Sequence, residues 1–99
     1  MRLTDEQIQA IRQLTREVAG ERCSVRVFGS RLDDAARGGD IDLLLEPTDT
    51  VDNPALIVAQ LSARVSRAMH GRKVDVLLSA PNFMRLPIHD VAFKEGRLL

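Results

Sequence analysis

The sequence predicts an α/β domain of the α+β kind, in which a mixed β-sheet has helices packed on one face. Two segments, residues 4–19 and 54–70, repeat apolar residues every three or four positions, which is typical of amphipathic helices. Three shorter apolar segments, residues 22–28, 40–46 and 73–78, are bounded by glycine or polar residues, which indicates strands. Helices and strands that alternate along the chain favour a sheet covered by a helical layer.

The ends of both long helices carry capping signals. Thr4 is a good N-cap for the first helix, and Gln7 three residues later completes a capping box. Gly20 fits the position after its last turn. Asn53 can cap the second helix, with Pro54 at its first position. We expect these two helices to cover one face of a sheet of three or more strands.

The remaining segments are predicted from weaker patterns. Residues 31–37 and 88–95 are expected to form short helical segments. The short connection between the first two strands favours antiparallel pairing there, and therefore a mixed sheet. His89 is expected at the surface or at an interface, because no second His or Cys lies at metal-ligand spacing from it.

The composition indicates a single soluble domain over residues 1–99. Hydrophobic residues make up 44% and charged residues 28%, which is ordinary for such a domain. The formal net charge is zero, so the charge of the whole molecule does not attract nucleic acid, and only a local patch could do so. With three Phe and neither Tyr nor Trp, the chain also has few rings for stacking on bases. Direct nucleic-acid binding is therefore not expected.

Cysteine use and hydropathy predict a cytoplasmic protein. Cys23 is the single cysteine, so no disulfide can form within the chain, which favours a reducing compartment. Cys23 is interpreted as a small buried hydrophobic residue. The N-terminus is polar and does not resemble a signal peptide. No apolar run approaches the ~18 residues of a transmembrane helix, so no membrane association is expected.

Three acids lie inside predicted strands, where side chains are usually buried: Asp40, Asp42 and Asp75. If the alternating apolar residues face the helices, the three carboxylates share the opposite face of the sheet. Neighbouring strands lie ~4.8 Å apart, so these carboxylates can converge and would repel one another unless a cation joins them. Oxygen ligands favour Mg²⁺, with Mn²⁺ as the alternative. Two such ions can hold the attacking and leaving oxygens of an in-line displacement.

The turn after the first strand can bind phosphate. Gly29 lets a phosphate approach the backbone closely, and Ser30 offers a hydroxyl donor. Arg31 adds a bidentate donor, and a helical turn starting there would present free N–H groups. A Gly-Ser turn and an Asp-x-Asp pair are each common, and most Asp-x-Asp pairs are simply solvated. Their combination with a third acid is more specific and favours phosphoryl transfer.

These residues resemble the signature of the DNA polymerase β-type nucleotidyltransferase superfamily. That signature is Gly-Ser or Gly-Gly, a spacer, and Asp-x-Asp between apolar residues. The matching residues, with nine others between the two parts, are Gly29, Ser30, Asp40, Ile41, Asp42 and Leu43. The chain length is similar to that of the minimal nucleotidyltransferases called MNT proteins, and the third acid of the family maps onto Asp75.

The resemblance implies a nucleotidyltransferase fold and assigns roles to the matched residues. Asp40, Asp42 and Asp75 would be the catalytic residues and the ligands of two Mg²⁺ ions. Gly29 and Ser30, with Arg31 beside them, would hold the phosphates of ATP or another nucleoside triphosphate. The third acid is also implied to help deprotonate the attacking hydroxyl.

The resemblance further implies a toxin–antitoxin role. Minimal members typically pair with a HEPN-type toxin, an all-helical and often ribonuclease-like protein. The implied reaction is transfer of AMP from ATP to that partner, typically on a tyrosine. The alternatives are a non-catalytic antitoxin that neutralises its partner by forming a complex, and a nucleotide sensor or scaffold subunit. Because no acceptor-binding domain follows, acceptor recognition is expected from a partner or second subunit, in a homo- or hetero-oligomer.

Overall fold

The computed structural model of the protein describes residues 3–28, 41–81 and 87–99. These residues form three helices and four strands. In chain order the elements are α1 (Asp5–Ala19), β1 (Cys23–Phe28), β2 (Ile41–Pro47), α2 (Pro54–Ala68), β3 (Val74–Leu78), α3 (Pro87–Glu95) and β4 (Arg97–Leu98). The predicted helical segment over 31–37 lies outside the described residues. No helix in the described part is both long and apolar enough to cross a membrane.

The four strands form one mixed sheet in the order β3-β2-β1-β4. Strand β1 pairs antiparallel with β2 and with β4, whereas β2 and β3 are parallel. The predicted mixed sheet and the antiparallel pairing of the first two strands are therefore confirmed. Strand β4 was not predicted, because its two residues are too few to show a periodic pattern.

The capping box predicted at the start of α1 is present. The Thr4 hydroxyl accepts a hydrogen bond from the Gln7 backbone N–H at 3.1 Å, and the Gln7 side-chain oxygen accepts from the Thr4 N–H at 2.9 Å. These two contacts satisfy backbone donors that the first turn leaves without helical partners. Gly20 ends the helix with a positive φ of 87°, and its N–H donates to the Arg16 carbonyl.

Helix α2 begins where its sequence predicts but ends at Ala68, two residues before the predicted end at residue 70. The Asn53 side chain accepts from the Leu56 N–H at 3.3 Å, with Pro54 at the first helical position. After the helix, His70 and Gly71 have φ values of 61° and 84°, in the left-handed region. The Gly71 N–H donates to the Ser66 carbonyl at 2.8 Å, which closes the last turn. This tight turn brings the chain directly into β3.

The larger hydrophobic core lies between one face of the sheet and the two long helices. Both helices pack on this face, as predicted. Its buried residues are Leu3, Ile11, Val25, Val27, Ile41, Leu43, Leu45, Leu61, Val65, Met69 and Val74. The strand residues among them alternate with residues of the opposite face, which is the period expected of pleated strands.

Helix α3 packs against the opposite face of the sheet. Phe28, Leu44 and Ala92 form a second, smaller buried cluster there, with Leu77 and Phe93 against it. The surface position expected for His89 is wrong, because His89 is only 6% exposed and its Nε2 lies 3.1 Å from the Leu78 carbonyl oxygen. The short α3 turns this side chain inward toward the end of β3, so its polar atom pairs with the backbone.

Candidate active site

Asp42 and Asp75 lie next to each other on the face of the sheet opposite the larger core. They are register partners in the parallel β2–β3 pair. Each is flanked along its strand by residues that pack in or against the larger core, such as Ile41 and Val74. Because side chains alternate along a strand, both carboxylates are on the other face, with their strands ~4.8 Å apart. The shared face predicted for these two acids is thus confirmed.

The carboxylates are accessible from solvent. Asp42 is half-buried, and the Asp75 side chain is 52% exposed. The Nζ atom of Lys73 lies 4.0 Å from Oδ2 of Asp75, and its side chain is 69% exposed. An ion pair this long and this exposed contributes little to stability and leaves the carboxylate available to a ligand.

Three strand ends meet at the edge of the sheet that carries these acids. Phe28, the last residue of β1, is the register partner of Asp42. The Ile41 N–H donates to the Lys73 carbonyl at 2.9 Å, which ties the start of β2 to the start of β3. The carboxyl end of β1 and the amino ends of β2 and β3 therefore lie together.

Four of the predicted site residues, Gly29, Ser30, Arg31 and Asp40, lie outside the described residues. Gly29 follows Phe28 directly in the chain, and Asp40 directly precedes Ile41. Both are therefore bonded to described residues of this same edge. Among residues 3–28, 41–81 and 87–99 no group of three His, Cys, Asp or Glu side chains could hold a metal, so the three-acid set stays a prediction.

Strand alternation places Lys73, two residues before Asp75, on the same face as that acid, and the structure agrees. Sequence reasoning missed one group on this face. Farther along the same face, Arg26 Nε lies 2.6 Å from Glu46 Oε1, and the Arg26 guanidinium lies 5.5 Å from the centre of the Phe93 ring. This group secures α3 on the sheet beyond the acids.

Cys23 has the properties of a structural residue. Burial raises the pKa of the Cys23 thiol to about 11, and the negative charge of Glu46 acts in the same direction, while a backbone hydrogen bond at Glu46 opposes them. A thiol with a raised pKa is a poor nucleophile at neutral pH. Cys23 is half-buried and packs against the larger core, so the predicted hydrophobic role agrees with the structure but full burial does not.

The fold of the chain occurs in solved toxin–antitoxin structures. A chain of a toxin–antitoxin crystal structure with AMP-PNP matches with a TM-score of 0.67 and 20% identity, over 97% of this chain and 72% of that one. A chain of the MntA–HepT toxin–antitoxin structure matches with a TM-score of 0.64 and 20% identity, over 96% and 70%. The protein has the nucleotidyltransferase fold.

A third solved structure has the same fold. It is a mutant MntA complex in which glutamate replaces two aspartates two positions apart, and it matches with a TM-score of 0.66 and 18% identity, over 97% and 71%. At these identities the likeness establishes the fold. No family model matches the sequence, and no curated protein matches it either.

Proposed function

We propose that the protein is a divalent-metal-dependent nucleotidyltransferase that transfers AMP from ATP to a partner protein and thereby acts as an antitoxin. The observation that carries the proposal is the pairing of Asp42 with Asp75 on an open face of the nucleotidyltransferase fold. Two carboxylates on adjacent strands of an open face offer oxygen ligands to a divalent cation.

We propose that the acids hold a pair of Mg²⁺ ions. Asp42 and Asp75 offer oxygen donors from adjacent strands, and Asp40 is the third donor of the proposed set. Bound ions supply charge neutralisation at the transferred phosphoryl group and its leaving oxygen. We propose that Asp40 and Asp42 hold both ions and that Asp75 completes the set.

The chain's own residues would position the reactants. Gly29, Ser30 and Arg31 would hold the triphosphate, since they follow Phe28, which ends opposite Asp42. A hydroxyl oxygen of the acceptor would then form a bond to the α-phosphorus, while the bond from that phosphorus to the bridging oxygen breaks and pyrophosphate leaves. Asp75 would take the hydroxyl proton and release it to solvent. The same residues would accept another nucleoside triphosphate, since none of them reads the base.

The structural neighbours support a nucleotide and a protein partner. MntA–HepT is a toxin–antitoxin pair, and one neighbouring toxin–antitoxin structure contains AMP-PNP, an analogue of ATP. In the mutant complex, glutamates replace two aspartates that have the same spacing as Asp40 and Asp42. A HEPN-type toxin is therefore the partner that we propose for this chain.

The test uses ATP labelled at the α-phosphate, Mg²⁺, and the protein encoded by the adjacent gene. We expect label on the partner with wild type and none with a variant carrying Asp40→Ala and Asp42→Ala. Asp49→Ala is the matched control, since Asp49 is an exposed acid that pairs with Arg22 away from the site. No transfer by wild type, together with neutralisation of the partner that the double variant retains, would reject the enzyme and identify an antitoxin that acts by complex formation.

A further inference from the structure

A groove runs between α1 and α2. One part is a cavity of about 350 Å³ lined by Leu14, Arg64, Arg67 and Ala68. A second cavity of about 300 Å³ continues from Ala68 toward the start of α1, where Ala10, Met69 and His70 line it with Thr4, Glu6 and Gln7. Together these cavities form the α1–α2 groove, in which small or apolar residues alternate with polar ones.

The α2 side of the α1–α2 groove carries two cations, Arg64 and Arg67, and no acid, while Glu6 of α1 lines the far end of the groove. The Nη1 atom of Arg64 lies 3.5 Å from Oε2 of Glu17. Both side chains are about half exposed, so this ion pair is weak. Arg67 is exposed and forms no salt bridge within the described part of the chain. Arg67 is therefore free to bind an anionic ligand at the rim.

The groove ends at the same end of the molecule as the candidate active site, on the opposite side of the sheet. Arg67 is in the last turn of α2, and the turn through Gly71 leads straight into β3. The Lys73 carbonyl then accepts the hydrogen bond from the Ile41 N–H, at the edge of the sheet that carries Asp42 and Asp75. A partner held in the groove is thus bound at the end of the molecule that carries the acids, on the other side of the sheet.

We propose that the α1–α2 groove docks an amphipathic, acidic helix of the partner protein. Apolar side chains at helical spacing would fill the floor over Leu14 and Ala68, and carboxylates would pair with Arg67 and Arg64. Charge alone would also suit nucleic acid, but a phosphate backbone has no apolar groups to cover this floor. The acceptor role of the docked protein rests on the proposed function, whereas the docking itself does not.

The probe is a fluorescent peptide of about 15 residues with leucine at helical spacing and glutamate elsewhere. We expect it to bind wild type in an anisotropy titration, more weakly as salt is added. Arg67→Ala should weaken binding about tenfold, as expected for one lost charged hydrogen bond. Arg22→Ala is the matched control, since Arg22 is also an exposed arginine and forms an ion pair with Asp49 elsewhere on the surface. This variant should bind the peptide as wild type does.

Two further probes separate the alternatives. The same peptide with lysine in place of glutamate should not bind, and equal binding would overturn the charge complementarity. No binding of the glutamate peptide to wild type, or equal loss in Arg67→Ala and Arg22→Ala, would overturn the proposal. An oligothymidylate of the same length that binds through Arg67 when the peptide does not would assign the groove to nucleic acid.

A separate variant distinguishes docking from catalysis. Asp42→Asn should abolish AMP transfer and leave peptide affinity unchanged, because Asp42 lies on the opposite face of the sheet from α1 and α2. Peptide binding by a wild-type protein that transfers no AMP would sustain the groove and reject the enzyme. Transfer of AMP by a wild-type protein that does not bind the peptide would sustain the enzyme and reject the groove.

Discussion

Asp42 and Asp75 are register partners across the parallel β2–β3 pair, with both side chains on the face opposite the larger core. Carboxylates on adjacent strands offer oxygen ligands to one cation, and the exposed Lys73 ammonium at 4.0 Å from Asp75 competes for that carboxylate only weakly. The arrangement therefore favours a divalent cation that binds both acids.

Magnesium should stabilise the wild-type protein and not Asp75→Asn. Binding to the folded state alone raises the free energy of unfolding, by about 2.7 kcal/mol at a concentration of about 100 times Kd. Without Mg²⁺, Asp75→Asn should be about as stable as wild type, because the exposed ion pair of Asp75 with Lys73 contributes little. Thermal unfolding with and without Mg²⁺ measures both effects. Asp49→Asn should keep the shift, and a full shift in Asp75→Asn would remove Asp75 from the site.

Ser30→Ala should weaken triphosphate binding. If the Ser30 hydroxyl donates to a phosphate oxygen, its loss costs about 1–3 kcal/mol. Calorimetric titration with AMP-PNP and Mg²⁺ measures this change. Ser79→Ala is a control serine after β3, and its affinity should not differ from wild type. Equal affinity in Ser30→Ala and wild type would reject the assigned role of Ser30.

Arg26→Met should destabilise the attachment of α3. The substitution removes the 2.6 Å contact with Glu46 and the contact with the Phe93 ring, and it leaves a partly buried carboxylate without its partner. We expect a loss of about 1–3 kcal/mol in urea unfolding. In a double-mutant cycle, Glu46→Gln should cost less in the Arg26→Met background than alone. Additive costs would show that the pair contributes nothing by itself.

Ionisation of Cys23 should lower stability at high pH. The folded pKa of about 11 lies above its ordinary value of 9.0, so folding favours the neutral thiol. The contribution is complete below about pH 9 and is lost as the pH rises through about 11. Urea unfolding across this range should show a decline in wild type that is smaller in Cys23→Ala. Alkylation at pH 8 should also be slower than for a free thiol, and rapid alkylation would contradict the assigned burial.

Most of the correct predictions from the sequence depend on the alternation of side chains along strands. It places Ile41 and Leu43 in the larger core and Asp42 on the other face, as the structure has them. This works because the side-chain period of a strand is fixed and one face is fully covered by helices. The capping box at Thr4 was predictable for a similar reason, since it depends only on residues three apart.

The features that sequence reasoning missed depend on contacts between distant segments. Helix α3 contributes only Ala92 and Phe93 to the smaller cluster, too few residues to show which face of the sheet they cover. The inward direction of His89 follows from that placement and has no local signal. The pairing of Arg26 with Glu46 likewise joins two strands whose register a single sequence does not reveal.

The register of β2 against β3 determines both which residues fill the core and whether the two acids lie together. A shift of β3 by one residue against β2 would carry Asp75 into the core and Val76 to the site, because side chains alternate strictly. A chain that paired its strands wrongly would therefore bury a charge and fail to fold, and it would not persist as an inactive but stable protein. Molecules that fold stably therefore have the acid pair assembled correctly.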